Sequence, residues 1–296
     1  MKNYPFNNQI SNGFNFSELY YNLKNYCPIQ LDDLVRIGRN FNGGYVLSTK
    51  SIEVTETLLS FGINDDWSFE KEFTKRKECK LYAYDYSVSL SRFKKDKEKF
   101  FRHMLFNLFF LRVKTGQMYH SLWKYYDQLS EGFAKFFNNP EHFFFEKYIG
   151  QYDDEKFVCF DTIINDYALF ETKDFSIFIK MDIEGNEYRV LPDIISYSNK
   201  INGLVIEFHM LDIIDKRFER IMADLMSHFY IAHVHANNAG GLIHKTHLPK
   251  LLEITFINKS LVAESVMVSK FKYPIEGLDF PNINNCKDIE LDFGRS

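Results

Sequence analysis

Residues 175–191, FSIFIKMDIEGNEYRVL, restrict this chain more than any other stretch. The apolar run Ile177-Phe178-Ile179 reads as a strand buried on both faces. It ends at Lys180-Met181-Asp182-Ile183-Glu184-Gly185, and helical spacing then begins. A buried strand turning through glycine into a helix belongs in an α/β sheet. Asp182 and Glu184 stand at i and i+2, where a strand aims them to the same side. Open α/β sheets bind ligands at the carboxyl ends of their strands. The two carboxylates are therefore the first candidate site residues.

Similar strand-and-helix alternation runs through the chain. Residues 57–61 read as a strand ending at Gly62, followed by a loop and a helix that Asp66 or Ser68 caps. Residues 79–85 read as a second strand, ending in Asp85. A strand, a glycine turn, a helix and, about 20 residues on, a strand-end acid make the ribose-binding pattern of nucleotide folds. Only one glycine occurs in SFGINDD, so a pyrophosphate cradle is not indicated; a nucleoside without pyrophosphate needs none. Residues 142–150 give a third strand and 160–167 a short helix with Asp161 near its start. The run at 175–181 is the fourth strand, its following helix bent or restarted at Pro192. Residues 203–209, 230–235 and 251–257 give strands five to seven, with 261–269 as a continuation or partner of the last. The expected fold is a mostly parallel, doubly wound sheet with a final hairpin.

Three further stretches qualify this plan. Residues 1–15 read as a loose arm, and 16–26 as a helix with Phe16, Leu19, Tyr20 and Leu23 on one face and Ser17 as cap. Residues 34–47 read as a hairpin on the edge of the sheet, which the sequence favours over a site in which Arg36 and Arg39 meet an anionic ligand. Residues 91–140 interrupt the alternation with two amphipathic helices, parted at Thr115-Gly116. Their Phe and Leu stripes alternate with Lys/Arg faces. Asp96, Glu98, Asp127 and Glu131 dilute that charge, so a substrate lid or a homo-oligomer contact is favoured over membrane-surface docking. The expected units are 1–33 (arm and helix), 34–90 (first part of the sheet domain), 91–140 (helical insertion) and 141–296 (the remainder).

Composition narrows the class. Of 296 residues, 45% are hydrophobic, with 31 Phe and 18 Tyr, enough for a large core. The net charge of −4 argues against a general nucleic-acid binder. Cys27, Cys79, Cys159 and Cys286 show no CxxC spacing and are expected to be buried free thiols. The first residues lack the features of a secretory leader, and the apolar run near 104–113 is too short to span a bilayer. A cytoplasmic protein without an integral membrane segment is expected.

The strand ends bring together Asp182, Glu184, Glu207 and His209 if strands four and five are neighbours. Such groups can accept a hydroxyl proton, hold a divalent metal, or pair with Lys180 or Arg189 as structural charges. No high-specificity metal spacing occurs, so a metal is not favoured. His233 and His235 share a strand face; His235 and Asn237 read as hydrogen-bonding walls. His244 and His247 carry no signal beyond their spacing. No nucleophile elbow is present, so hydrolase chemistry is unsupported.

The run IKMDIEGNEYRVL resembles the FkbM-like methyltransferases, whose signature is matched here by Lys180, Asp182, Glu184, Gly185, Glu187, Val190 and Leu191. The blocks RIGRNFNGGYVL, SFGINDDWSFEKEF, HFFFEKYIG, FDTIINDY and HVHANN are similar to other blocks of that family. The resemblance covers residues 34–240 apart from the insertion at 91–140. It implies a Rossmann-like class I methyltransferase fold, S-adenosylmethionine as cofactor, and O-methylation of a sugar, nucleotide-sugar or related small metabolite. It implies that Gly62, Asn64 and Asp65 lie near the cofactor, that Asp85 accepts the ribose hydroxyls, and that Asp182 and Glu184 face the sulfonium and the acceptor. With His209 added from the strand-end cluster, Asp182, Glu184 and His209 are the candidate catalytic residues, and Gly62, Asn64, Asp65, Asp85 and Asp182 the candidate cofactor contacts. Arg36, Arg39, Tyr45, His235 and Asn237 are then the candidate walls for a carbohydrate-type substrate. The chain departs from the general pattern in its single-glycine first loop, and the insertion has no counterpart. Two other classes stay open: a metal-dependent enzyme using Asp182, Glu184 and His209, and a non-catalytic binding protein on the same fold.

Overall fold

A computed structural model of the chain describes residues 20–294. The expected helix at 16–26 falls partly outside that range: Phe16, Ser17 and Leu19 are not among the described residues. Its remaining part is a short 3-10 turn, Leu23–Tyr26, capped where the Asn22 side chain accepts from the Lys24 amide at 3.1 Å.

The chain then forms β1 (Leu34–Ile37), β2 (Tyr45–Ser48), α1 (Thr49–Val54), β3 (Thr57–Phe61), α2 (Ser68–Arg76) and β4 (Lys80–Tyr84). Two long helices come next, α3 (Leu90–Phe109) and α4 (Val113–Phe136). After them are β5 (His142–Phe145), β6 (Tyr148–Gly150), β7 (Phe157–Cys159), α5 (Phe160–Asp166), β8 (Ile177–Met181) and α6 (Glu187–Ile195). The last elements are β9 (Ile201–Phe208), α7 (Asp215–His228), β10 (Phe229–Ala236) and β11 (Leu252–Asn258).

Seven strands make one sheet in the order β10-β11-β9-β8-β3-β4-β5. Pairings among β5, β4, β3, β8 and β9 are parallel, and β11 lies antiparallel between β9 and β10. This is the expected Rossmann-like class I methyltransferase fold, its penultimate edge position filled by the one reversed strand. The chain builds outward from β3 through β4 to β5, then returns to build outward from β8. The order therefore reverses between β3 and β8, and the crevice at that switch point is where such sheets bind ligands.

The strand β8 shows why the run at 175–181 lacks polar alternation. Ile177, Ile179 and Met181 pack in the apolar layer with α5, α6 and α7, while Phe178 packs in the opposite layer with Phe73 of α2. Both faces are dry, so both need apolar side chains. Lys180 shares the Phe178 face, yet its Nζ reaches past the strand end and donates to the Gly62 carbonyl.

Four expectations need correction. The hairpin β1–β2 is a separate two-stranded sheet, not an edge of the main one. It is held against the central sheet by Thr255 Oγ1, which donates to Val46 O at 2.7 Å. The third strand is two short strands: β5 joins the main sheet, and β6 pairs with β7 apart from it. The insertion turns at 110–112, not at Thr115-Gly116, which lie inside α4. Gly116 instead lets the helices close: a β-carbon there would lie 2.8 Å from Leu108 Cδ2. Residues 262–269 form no strand; Val268 makes only an isolated bridge to Ile29. In addition, α6 runs through Pro192 without a break, and of the four free cysteines only Cys79 is buried.

Candidate active site at the switch point

The turns after β3 and β8 touch. Gly62 has a φ of +79°, and a β-carbon on it would fall 1.8 Å from the Asp182 carbonyl oxygen. Only glycine fits a positive φ with backbone this close. The Asp182 amide donates to Phe61 O at 3.0 Å, and the Gly62 amide donates to Tyr84 O at 2.9 Å. Sheet pairing thus extends past the strand ends and fixes both turns. After β8 the chain turns through Glu184 (φ +56°) and Gly185 (φ +98°).

A cavity of about 300 Å³ opens over these turns, lined by Gly62, Asn64, Asp85, Asp182, Glu184 and an aromatic wall. That wall is Tyr84, Tyr148 and Phe157, with the Tyr148 and Phe157 rings 5.5 Å apart. Asp85 is buried and braces the floor. Its Oδ2 accepts from the Asn64 amide at 2.8 Å, and its Oδ1 accepts from the Ser87 amide and hydroxyl at 2.7 and 2.6 Å. A carboxylate has about four acceptor sites, so three protein donors leave room for a ligand hydroxyl. A smaller cavity of about 60 Å³ adjoins it, lined by Arg39, Tyr45, Asp65, Glu70, Lys180 and Asp182 among others. Gly62, Asn64 and Asp182 border both.

Behind Asp182 lies a buried polar cluster. His209, one residue beyond β9, directs Nε2 at three carboxylates: Glu207 Oε1 at 3.5 Å, Glu184 Oε2 at 3.6 Å and Asp182 Oδ1 at 3.7 Å. Its Nδ1 lies 2.8 Å from Glu187 Oε1, and Glu187 is fully buried. The same Glu187 oxygen accepts from the amides of Ile183 and Gly185 at 3.3 and 3.2 Å. Glu187 therefore holds both the turn and the imidazole. Glu207 Oε1 accepts from Asn237 Nδ2 at 2.9 Å, whereas Glu207 Oε2 is buried without a partner.

Electrostatics follow from this burial. Burial pushes Asp182 up, with Lys180 and His209 opposing, although 27% of its side chain is open to the cavities. Burial pushes Glu207 well up, reinforced by Asp182 and Glu253. Burial by itself would lower His209, but the Glu187 hydrogen bond and the charges of Glu187, Glu207 and Asp182 outweigh it and raise the imidazole to about 9. Burial, then Asp182, keeps the Tyr45 phenol neutral by raising it well above its ordinary value.

The candidate residues thus separate into groups. Gly62, Asn64, Asp85, Asp182 and Glu184 line the larger cavity; Arg39, Tyr45 and Asp65 line the smaller one. Arg39 also pairs with Asp66 at 2.7 Å. Arg36 lies outside both linings: its guanidinium donates to the carbonyls of Arg39, Phe41 and Leu278. His235 is buried between Glu253 and Asp288, each 3.1 Å away, and lines neither cavity. Asn237 stands behind Glu207, bracing it. The aromatic wall and the brace of Ser87 are not among the sequence-derived candidates; Tyr148 lies in the HFFFEKYIG block without being singled out there, and Phe157 sits on a short strand outside every such block.

Asp182, Glu207 and His209 present ligand atoms within 4.8 Å of one another, a spacing that a divalent cation could bridge. No family model matches the chain, and no curated protein matches it. Among solved structures it is similar to a fibrillarin/Nop5p complex at 12% identity, over 70% of this chain and 74% of that one, with a TM-score of 0.35. It is also similar to a precorrin-6y C5,15-methyltransferase from Geobacter metallireducens at 11% identity, over 71% and 86%, with a TM-score of 0.33. A Methanococcus jannaschii fibrillarin pre-rRNA processing protein aligns at 9% identity, over 77% and 84%, with a TM-score of 0.31. The class I methyltransferase fold rests on the strand order and the reversed β11 rather than on these scores.

Proposed function

We propose that this chain is a cytoplasmic, FkbM-like, S-adenosylmethionine-dependent O-methyltransferase acting on a hydroxyl of a sugar, nucleotide-sugar or related small metabolite. The observation that carries this reading is the meeting of Gly62, Asp85 and Asp182 on one cavity at the switch point of a class I sheet. When bound, S-adenosylmethionine supplies an electrophilic methyl group on a sulfonium. The residues present fit such a molecule. Asp85 keeps acceptor capacity for ribose hydroxyls, and Tyr84, Tyr148 and Phe157 offer faces for a planar base. Arg39 with Asp65 and Asp66 offers one cation and two carboxylates to an amino-acid zwitterion. On this reading Arg39 and Tyr45 serve the cofactor rather than the acceptor.

Asp182 borders both cavities, together with Gly62 and Asn64, and is the carboxylate at the junction where the sulfonium would lie. Methyl transfer is mainly a matter of in-line positioning. Asp182 and Glu184 can accept hydrogen bonds from an acceptor hydroxyl, and Asp182 can take its proton. His209, held as a cation by its carboxylate neighbours, positions Asp182 and does not act as the base. Mass spectrometry of the purified protein for S-adenosylmethionine or its demethylated product, followed by calorimetry, tests the reading. A folded protein that binds neither compound overturns it. A screen of hydroxylated acceptors then separates sugars from other classes.

One observation favours a second reading, metal-assisted transfer. Glu207 Oε2 is buried without a partner, while His209 Nε2 faces three carboxylate oxygens at distances longer than good hydrogen bonds. Asp182, Glu207 and His209 would hold a divalent cation, with Glu187 orienting the imidazole from behind. The cation would lower the pKa of an acceptor hydroxyl. Calorimetry with manganese alone, on chelator-treated protein, decides between the two readings; no heat of binding removes the second.

A further inference from the structure

The helical pair α3–α4 ends in a tip unlike the rest of the surface. Nine large apolar side chains between Phe101 and Met118 are exposed, with Phe109 at 81% and Leu111 at 84%. Only Met104, Asn107 and Gly116 are buried along the distal parts of the helices, where the pair closes on itself. Phe106, Leu108, Phe109, Phe110 and Leu111 project from the end of α3 and the turn beyond it. Contiguous exposed apolar surface of this kind marks an interaction site.

Charge identifies what it meets. From residue 99 to residue 126 there is no Asp or Glu, while Lys99, Arg102, Arg112, Lys114 and Lys124 carry five positive charges. The acids that dilute the insertion's charge in the sequence lie at its base. There Asp127 pairs with Lys97, and Asp65 accepts from Tyr125. The base is also fixed to the domain by Trp67, whose ring stands edge-on to Phe133 at 5.6 Å, with Gly132 giving it room. The tip is therefore a projection packed onto the domain at its base, rich in exposed apolar side chains and with Lys and Arg but no Asp or Glu. Arg102 lies about 10 Å along the helix from Phe109, at about 1.5 Å per residue. Aromatic and aliphatic side chains at the end, with basic residues about 10 Å behind, match the depth of shallow insertion under anionic headgroups. Arg112 and Lys114 have stems long enough to snorkel back to the headgroups.

We propose that this tip docks the protein on an anionic lipid bilayer as a peripheral anchor. A second copy is a poorer occupant, because two such tips would bring like charges together. A blunt projecting end also offers a rigid surface little contact area, whereas lipid closes around it. No helix of the described residues is long and apolar enough to cross a membrane, so the tip enters one leaflet only. Docking of this kind does not depend on methyl transfer.

Vesicle co-sedimentation of the full chain tests it. Vesicles of phosphatidylcholine with about one third phosphatidylserine should bind the protein, and pure phosphatidylcholine vesicles should bind it roughly tenfold less, as electrostatic attraction near the surface requires. The double variant Phe109→Asp/Leu111→Asp changes exposed side chains only and should melt as the parent does. It should lose binding to anionic vesicles by roughly tenfold or more. Lys99→Gln/Arg102→Gln, which keeps the apolar tip, should weaken anionic binding with little change on neutral vesicles. The proposal is overturned if the parent fails to sediment with anionic vesicles at low salt, or if the Asp variant binds as the parent does. It is also overturned if light scattering shows a stable dimer that the Asp variant abolishes, for then a second copy covers the tip.

Discussion

Gly62 and Asp182 are 120 residues apart in sequence, yet a single β-carbon on Gly62 would fall 1.8 Å from the Asp182 carbonyl oxygen. Neither turn can retreat, because Asp182 N is bonded to Phe61 O and Lys180 Nζ to Gly62 O. The contact ties the site together, setting the first residue of the turn after β3 against the first carboxylate of the turn after β8.

Gly62→Ala should therefore do more than add a methyl group. It meets backbone, not a flexible side chain, and forces a strained φ. A loss of about 2–4 kcal/mol in urea unfolding is expected, with loss of cofactor binding at temperatures where the variant is still folded. A variant that unfolds at the parent's midpoint would show that the two turns are not in contact.

Asp85→Ala should lower affinity for S-adenosylhomocysteine by roughly tenfold or more in calorimetry, since it removes the proposed ribose acceptor and the brace on the Asn64 amide. Asp85→Asn keeps one acceptor oxygen and should fall between parent and Ala. Equal affinities for all three would remove Asp85 from the cofactor site.

The sheet and the strand-end acids were legible because each rests on local pattern. Apolar runs of strand length end at Gly62, Asp85 and Asp182, and β-strand geometry then forces those ends to one edge. What was not legible depends on contacts distant in sequence. Nothing near His235 announces Asp288, 53 residues away, which closes over it together with Glu253. Nothing near Arg36 announces the Leu278 carbonyl that takes its guanidinium. The turn of the insertion was misplaced for a related reason. Gly116 looks like a break in sequence, but packing against Leu108 makes it a close-approach residue inside the helix. The basic character of the tip is hidden in the mixed charge of the whole insertion, because folding sets the acids at its base.

Alkaline pH should weaken the fold through His235. Burial lowers this group, but hydrogen bonds to Asp288 and Glu253, with the charge of Asp279, raise it to about 10. The same acids, Glu253, Asp279 and Asp288, also face Arg36. A folded pKa above the unfolded value means the charged form is stabilised by folding. The contribution is fully present below about pH 6.5 and is lost as pH rises through about 10. Urea midpoints at mildly acidic and alkaline pH should therefore fall more steeply for the parent than for His235→Gln. Parallel profiles would show that His235 is not the group responsible.

Glu187 offers the sharpest test of how the site is held. Its Oε1 meets three donors, the amides of Ile183 and Gly185 and His209 Nδ1, in a fully buried position. Glu187→Ala would leave these donors without acceptors beside a charged imidazole, and should cost about 3–5 kcal/mol in chemical unfolding. Glu187→Gln keeps an oxygen of similar reach but no charge, and should cost less while still weakening the hold on the ring. If Glu187 only supports the fold, turnover per folded molecule should be the same in the Gln variant as in the parent. If it positions His209, which it holds at 2.8 Å, against Asp182, turnover should fall roughly tenfold with cofactor affinity little changed, because Glu187 does not line the larger cavity proposed to hold the cofactor.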